Sequence, residues 1–317
     1  MRRIAERTFA LGIFLFATGV LAQTYPTRLI RIITTQPGGG SDVLARVIAP
    51  PLSASLGQPI VVDNRTALVA VETAAKAPPD GYTLLVNGSA LWLQPLLRDN
   101  VPWDPVRDFA PITLAISAPT LLVVHPSLPV RSVRDLIALA KARPGQLNYA
   151  AGTLGATPHI AGELFKAMAG VNIVRVPYKG TGPALIGLLT GEAHLMFPNA
   201  ASALGHIKQG KLRALAVGTA QPSPLVPGVP TIAASGLPGY ESESPQGVFA
   251  PAGTPAPIVT RLNQEIARIL SSTDIKPRLV NSGTSVVASS PDAFAAAIKA
   301  DIARISKLSK QASIREE

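Results

Sequence analysis

The stretch IITTQPGGGSDVLARVIAP (residues 32–50) reads as a β-strand, a glycine turn and an amphipathic helix. Branched Ile and Thr favour the strand, three glycines free the backbone to turn, and Val43, Leu44, Val47 and Ile48 form one helical face. Ser41 or Asp42 is expected to cap that helix. Such a corner aims unpaired backbone N–H groups and the positive end of a helix dipole at whatever lies in front of it, an arrangement that suits many anions. QLNYAAGTLGATPHIAGELFKAMAG (residues 146–170) repeats the arrangement, with Pro158 in the first turn and Ile160, Leu164, Phe165 and Met168 as the buried stripe. Two such corners, more than a hundred residues apart, suggest one anion gripped from two sides.

The intervening pattern alternates short apolar runs with amphipathic stretches, which predicts an α/β protein with mostly parallel sheets. PIVVDN (59–64), TLLVNGS (83–89), IVRVPYKG (173–180), AHLMF (193–197) and KLRALAV (211–217) read as strands, and PTLLVVHPS (119–127) as one long crossing strand. ALVAVETAAKA (67–77), SVRDLIALAKARPG (132–145, capped by Ser132) and GPALIGLLTG (182–191) read as helices. Two more helices close the chain, one from Pro255 with Thr254 as cap and one from Pro291. Between residues 218 and 254 lies a tract rich in Pro, Gly and Ser that suits a crossing between domains.

Composition narrows the function. Among 317 residues there is no cysteine, so disulfides, thiolate metal sites and cysteine nucleophiles are excluded. The formal net charge of +10 comes from Lys and Arg scattered singly, with aromatics at 5%, so small anions fit better than nucleic acid. MRRIAER followed by the apolar run FALGIFLFATGVLA (9–22) reads as a secretory signal cleaved after Ala22, with a retained anchor helix as the alternative.

Gly38-Gly39-Gly40 is neither G-x-G-x-x-G nor a P-loop, and no G-x-S-x-G elbow is present; Gly88-Ser89 is the nearest serine corner. The four histidines show no metal spacing, so neither metal nor cofactor is expected. His125 reads as a strand-end residue, and Trp92 and Trp103 as packing. Contact with a carboxylate and plain packing stand level for His159, while Lys179 in PYKG is a candidate charge clamp with simple solvation as the alternative.

The ordered blocks PGGGSDVLAR (37–46), APPDGYTLLV (77–86), LIALAKARPGQLNYAAGTLGATPHIAGELFKAMAG (136–170), VPYKGTGPAL (176–185), GKLRALAV (210–217), VPTIAASGLPGYE (229–241) and GVFAPAGTPAPIVTRLNQEIARIL (247–270) resemble the Bug (TctC-like) solute-binding receptors of tripartite tricarboxylate transporters. The resemblance implies a periplasmic, two-lobed clamshell of the type II kind, not an enzyme. Residues 23–124 and 246–317 would form one lobe and 125–245 the other. It implies a carboxylate held by glycine-loop amides and small hydroxyls, a membrane permease as partner and a monomer. Carried onto this chain, Pro37, Gly38, Gly39 and Ser41 would serve the first lobe, and Thr153, Gly155, Ala156, Thr157 and His159 the second.

Gly88, Ser89, Phe197, Asn199 and Gln246 complete the expected ligand set. The chain departs from the family after Asn64-Arg65, where a glycine-rich loop is replaced by Thr66, Ala67, Leu68 and Val69. That change removes flexible backbone and adds bulk, pointing to an altered grip, a more apolar solute or lost binding. Thr66 and Ala67 stand where the family loop touches its ligand. Pro245 and Gln246 replace an aromatic pair, and Phe197-Pro198-Asn199 lacks the acidic residue often found there. A sensor that reports its liganded state to a membrane signalling protein is a second reading, and an enzyme on the same fold a third.

Overall fold

The computed structural model describes residues 25–312, so the expected secretion signal at residues 1–22 lies outside the described residues. From the first of them the chain runs β1 (Ile30–Thr34), α1 (Gly40–Leu56), β2 (Ile60–Asn64), α2 (Ala67–Ala75), β3 (Thr83–Gly88), α3 (Ala90–Leu97) and β4 (Phe109–Pro119). It crosses into β5 (Leu121–Val124), α4 (Val133–Ala142), β6 (Asn148–Ala151), α5 (Thr157–Ala169), β7 (Val174–Pro177), α6 (Thr181–Leu189), β8 (Leu195–Met196), α7 (Ala200–Lys208) and β9 (Arg213–Val217). It returns through β10 (Glu243–Pro251), α8 (Ala256–Leu270), α9 (Ile275–Asn281), β11 (Ser285–Val286) and α10 (Pro291–Ala312). Among the described residues, no helix is long and apolar enough to cross a membrane.

The strands form two sheets, ordered β11-β4-β10-β3-β1-β2 and β7-β6-β8-β5-β9. Apart from the small edge strand β11, both sheets have the same wiring. Each places its second, first and third strands side by side, then a strand that arrives from the other sheet, then its fourth. The arriving strands, β10 and β5, run antiparallel to both neighbours, while β1 pairs in parallel with β2 and β3, and β6 with β7 and β8. The two-lobed α/β architecture therefore holds, with most strands of each sheet running in one direction and an antiparallel strand set among them. Entry from the opposite lobe reverses the direction of one strand in each sheet.

Residues 119–127 accordingly do not form one strand. β4 ends at Pro119, and Leu121–Val124 pairs with β8 and β9 of the second sheet. Glu243–Pro245 likewise pairs with β4 of the first sheet, so sheet membership changes at Thr120 and Ser242. At this double crossing Thr120 Oγ1 donates to the Ser242 carbonyl at 2.9 Å. The Gly218 N–H donates to the Thr120 carbonyl, and the Ser242 N–H to the Gly218 carbonyl, each at 2.8 Å. A β-carbon on Gly218 would lie 2.1 Å from Thr120 Oγ1 and 2.8 Å from the Ser242 carbonyl, so only glycine fits.

Local expectations meet the same tertiary pressure. Ser132 caps α4 as read, accepting from the Asp135 N–H at 3.1 Å. Helix α1, in contrast, starts at Gly40 with Gly39 as an N-cap that makes no side-chain bond, so neither Ser41 nor Asp42 caps it. Asp42 instead ties the turn together, accepting from the Gly38 N–H, Arg46 and Asn64. The helix also runs on through Pro50 and Pro51 to Leu56, because Leu44, Ile48, Leu52 and Leu56 continue one buried stripe. Pro255, not Thr254, caps α8; Thr254 Oγ1 donates to the Pro251 carbonyl.

Apolar side chains fill both faces of each sheet. α10 joins the first lobe by packing Phe294 against Trp92 and Phe249. Both tryptophans are buried packing residues with satisfied N–H groups, Trp92 donating to Asp301 and Trp103 to the Leu91 carbonyl. His159 is buried behind the second glycine turn, where its Nδ1 accepts from the Gly155 N–H at 3.2 Å. Burial, then the positive charges of Arg175 and Lys166, push its pKa down to about 3, so the ring is neutral. In the structure His159 packs and supports the turn.

Two outcomes follow. Gly218→Val is expected to destabilise the protein by about 1–3 kcal/mol through overpacking. Gly205→Ala, inside α7 with open space around it, should be stabilising by about 0.5–1 kcal/mol; urea unfolding measures both. The unfolded chain protonates His159 near its ordinary 6.5 whereas the folded chain resists until about 3. Its contribution is thus complete above pH 6.5 and falls as pH drops below it, at up to about 1.4 kcal/mol per pH unit. Unfolding of wild type and His159→Gln between pH 7.5 and 4.5 checks this, the variant lacking that increment.

Candidate functional site

In each lobe the chain leaves a strand and turns directly into a helix, placing helix N-termini outside the carboxyl ends of the strands, where open α/β sheets bind their ligands. The N-cap residues are Gly39 for α1, Ser89 for α3, Ala156 for α5, Gly180 for α6 and Asn199 for α7. All five line one cavity of about 60 Å3 between the lobes, joined by Ala67 at the start of α2. Four of the five make no side-chain cap bond, which leaves first-turn N–H groups for a guest; only Asn199 caps its own helix, accepting from Ser202. No Asp or Glu lines the cavity, and Lys179 is its one charged lining residue. Helix dipoles and charge therefore act with the same sign, in favour of an anion.

The sequence-predicted residues divide cleanly. Gly39 and Ser41 line the cavity, as do Ala67, Gly88 and Ser89 from the first lobe. Thr153, Ala156 and Thr157 line it from the second, and Asn199 and Gln246 complete it. Pro37 and Gly38 do not line it; they meet Gly182 of α6 at the contact between the lobes, where a β-carbon on Gly182 would lie 2.7 Å from the Pro37 carbonyl. The Gly155 carbonyl makes a similar contact, accepting from Ser89 Oγ at 3.1 Å. Thr66 is the N-cap of α2, and His159 stands behind the turn it supports. Phe197 does not line the cavity; it packs with its ring centroid 5.5 Å from Phe165 in the second-lobe core.

Close packing explains the glycines. A β-carbon on Gly40 would lie 3.1 Å from both Asn199 Nδ2 and Gln246 Nε2, and one on Gly88 would lie 2.8 Å from the Pro245 carbonyl. Gln246 is held in place by Ser41 Oγ, which donates to its Oε1 at 2.5 Å, while its Nε2 donates to Ser244 Oγ at 3.2 Å. Sequence reasoning missed Thr35 and Gln36 of the first turn, Asn87, Ser244, and the third corner at Gly180 and Thr181. That third corner was legible, since VPYKGTGPAL repeats the strand, glycine and helix pattern.

A larger cleft of about 530 Å3 adjoins the first cavity and shares Ser89 and Thr157 with it. Trp92, Leu93, Ile160, Phe294 and Ile298 give it apolar walls, and Glu241, Glu243, Asp301 and Arg304 supply its charges. No cluster of side chains suited to a metal ion exists among the described residues.

The chain's similarities agree with this geometry. Residues 44–314 match the family described as the tripartite tricarboxylate transporter family receptor, TctC. BugT of Bordetella pertussis is 38% identical over 292 residues, which cover 89% of this chain and 90% of that protein. A Rhodopseudomonas palustris protein solved with adipate superposes with a TM-score of 0.89 at 40% identity, covering 92% of this chain and 99% of the other. MatC from the same organism, solved with malate, gives a TM-score of 0.83 at 30% identity over 89% and 99% of the two chains. The chain belongs to the TctC family of tripartite tricarboxylate transporter receptors, whose members are solute-binding receptors rather than enzymes.

Proposed function

We propose that this protein is a periplasmic receptor that captures a small carboxylate-bearing solute between its lobes and delivers it to the permease of a tripartite tricarboxylate transporter. The observation that carries the reading is the convergence of five helix N-termini, four of them without side-chain caps, on one cavity free of carboxylates. A carboxylate accepts several N–H bonds at once, and such charge-assisted bonds are stronger than neutral ones. Relatives solved with adipate and malate support the solute class. The sequence of residues 1–22 and the family support export to the periplasm.

The size of the two spaces suggests how a solute lies. The cavity of about 60 Å3 receives the carboxylate, and it is small beside the adjoining cleft of about 530 Å3. The rest of the solute extends past Ser89 and Thr157 toward the apolar cleft. Binding drives closure because α1 and α3 belong to one lobe and α5, α6 and α7 to the other, so an anion touching all of them is satisfied only when the lobes meet. The Ser89–Gly155 bond and the Pro37–Gly182 contact are part of the same closed arrangement. Thr120 and Ser242 are the hinge points of that motion in this reading.

Thermal unfolding of the purified mature protein against mono-, di- and tricarboxylates, with phosphate and nucleotides as controls, tests the assignment. A binding carboxylate at 100 times its Kd should add about 2.7 kcal/mol of stability. Gly40→Val, which drives a side chain into Asn199 and Gln246, should weaken binding by at least about tenfold, roughly 1.4 kcal/mol. Silence across the acids, or an equal response to phosphate and nucleotides, would defeat the reading.

A further inference from the structure

The side chain of Asn87 occupies an unusual position at the end of β3. It is 2% exposed, lines the cavity, and sits on the strand position paired with Gly247 of β10. Its Oδ1 accepts from the Gly88 N–H at 2.8 Å. That bond orients the amide, since the flipped assignment would set two N–H donors face to face. The Nδ2 group is thereby left buried with no hydrogen-bond partner among the described residues. Buried polar groups are almost always paired, so an orphan donor in a ligand cavity requires a reason.

The neighbouring side chains sharpen the point. Ser41 is bound to Gln246, Gln246 to Ser244, Asn199 to Ser202, and Ser89 to the Gly155 carbonyl. Asn199 only accepts in its bond from Ser202, and among the cavity-lining side chains it is the Asn87 Nδ2 that is both fully buried and without a partner. Its surroundings offer helix N-termini and no carboxylate, so a guest meets N–H groups on every side. An amide N–H pairs with carboxylate, carbonyl or hydroxyl oxygen, whereas an ammonium group has only donors to present.

We infer that Asn87 is a specificity-determining residue: its amide donates to an oxygen of the bound acid, and the cavity discriminates against acids that carry an ammonium group. This rests on the carboxylate-receptor reading above. A site built to hydrogen-bond one group rejects an analogue that leaves its buried partner unpaired, and here an ammonium would also face the positive ends of the helices.

Calorimetric titration with two matched pairs of probes tests the inference: adipate against 2-aminoadipate, and L-malate against L-aspartate. Wild type should bind at least one acid and prefer it over its amino counterpart by about tenfold or more. Asn87→Leu, similar in size but without a donor, should weaken that acid by at least about tenfold and narrow its lead over the amino counterpart, while loss of the Oδ1 acceptor for the Gly88 N–H also lowers the unfolding temperature. A merely structural role would lower that temperature without narrowing the preference between acid and amino acid. The near-isosteric Asn87→Asp should weaken the acid further and narrow or reverse the preference against the amino acid, since it adds an acceptor and a negative charge. Equal affinity of wild type and Asn87→Leu for the acid would overturn the role of Asn87 and leave the receptor reading standing. Equal affinity of wild type for both members of a pair would overturn the discrimination. Binding of none of the four probes by wild type would count against the carboxylate reading and remove this inference with it.

Discussion

Two chain crossings touch at Thr120, Gly218 and Ser242, and the rest of the molecule depends on that contact. Two hydrogen bonds join them, a third ties Ser242 to Gly218 within the returning crossing, and the absence of a side chain at Gly218 lets them approach. Because each crossing feeds a strand into the middle of the opposite sheet, neither sheet is complete without the other. That exchange explains the shared wiring, the antiparallel β5 and β10, and the alignment of both sheets with their helix-bearing edges toward one cleft. Under the proposed function, two paired crossings would serve as a hinge that restricts relative motion of the lobes to few directions.

Within that frame the site, under the proposed function, works by preorganised backbone. A helix N-terminus carries roughly half a positive charge, and here several are fixed by sheets packed on both faces, so little reorganisation accompanies arrival of an anion. Arginine is absent from the cavity lining, and Lys179 is exposed at its edge. Recognition by N–H groups held in a rigid frame trades the reach of a long cationic side chain for direction. It also makes the glycines indispensable, since a β-carbon at Gly40 or Gly88 would occupy the space between the donors.

Much of this was legible in the chain. Short-range features came through where local chemistry and tertiary demand agree: Ser132 caps α4, Pro158 enters the first turn of α5, and two glycine corners stand where they were read. Reading failed where burial outweighed propensity. Pro50 and Pro51 should end α1, yet the stripe through Leu52 and Leu56 carries the helix on. Strand β4 was overlooked because FAPITLAISAP has prolines at its third and last positions and no clean alternation, being buried from several sides at once. His159 and Phe197 belonged to blocks correctly singled out, but their side chains support the turn and the core instead of lining the cavity.

By itself the sequence determined most of the element types, the absence of thiol chemistry, and the glycine corners that open helices. Those properties reside in residue identity and short spacing: glycine permits the turn, a following amphipathic run makes the helix, and the helix end is positive whatever surrounds it. Tertiary structure alone decided which N-termini share a cavity, that α6 and α7 join α1, α3 and α5, and that the Asn87 Nδ2 is buried there without a partner. These depend on pairings between residues as distant as Gly88 and Gln246. No local pattern encodes such pairings, because they arise only when two crossings fold each half of the chain into the other.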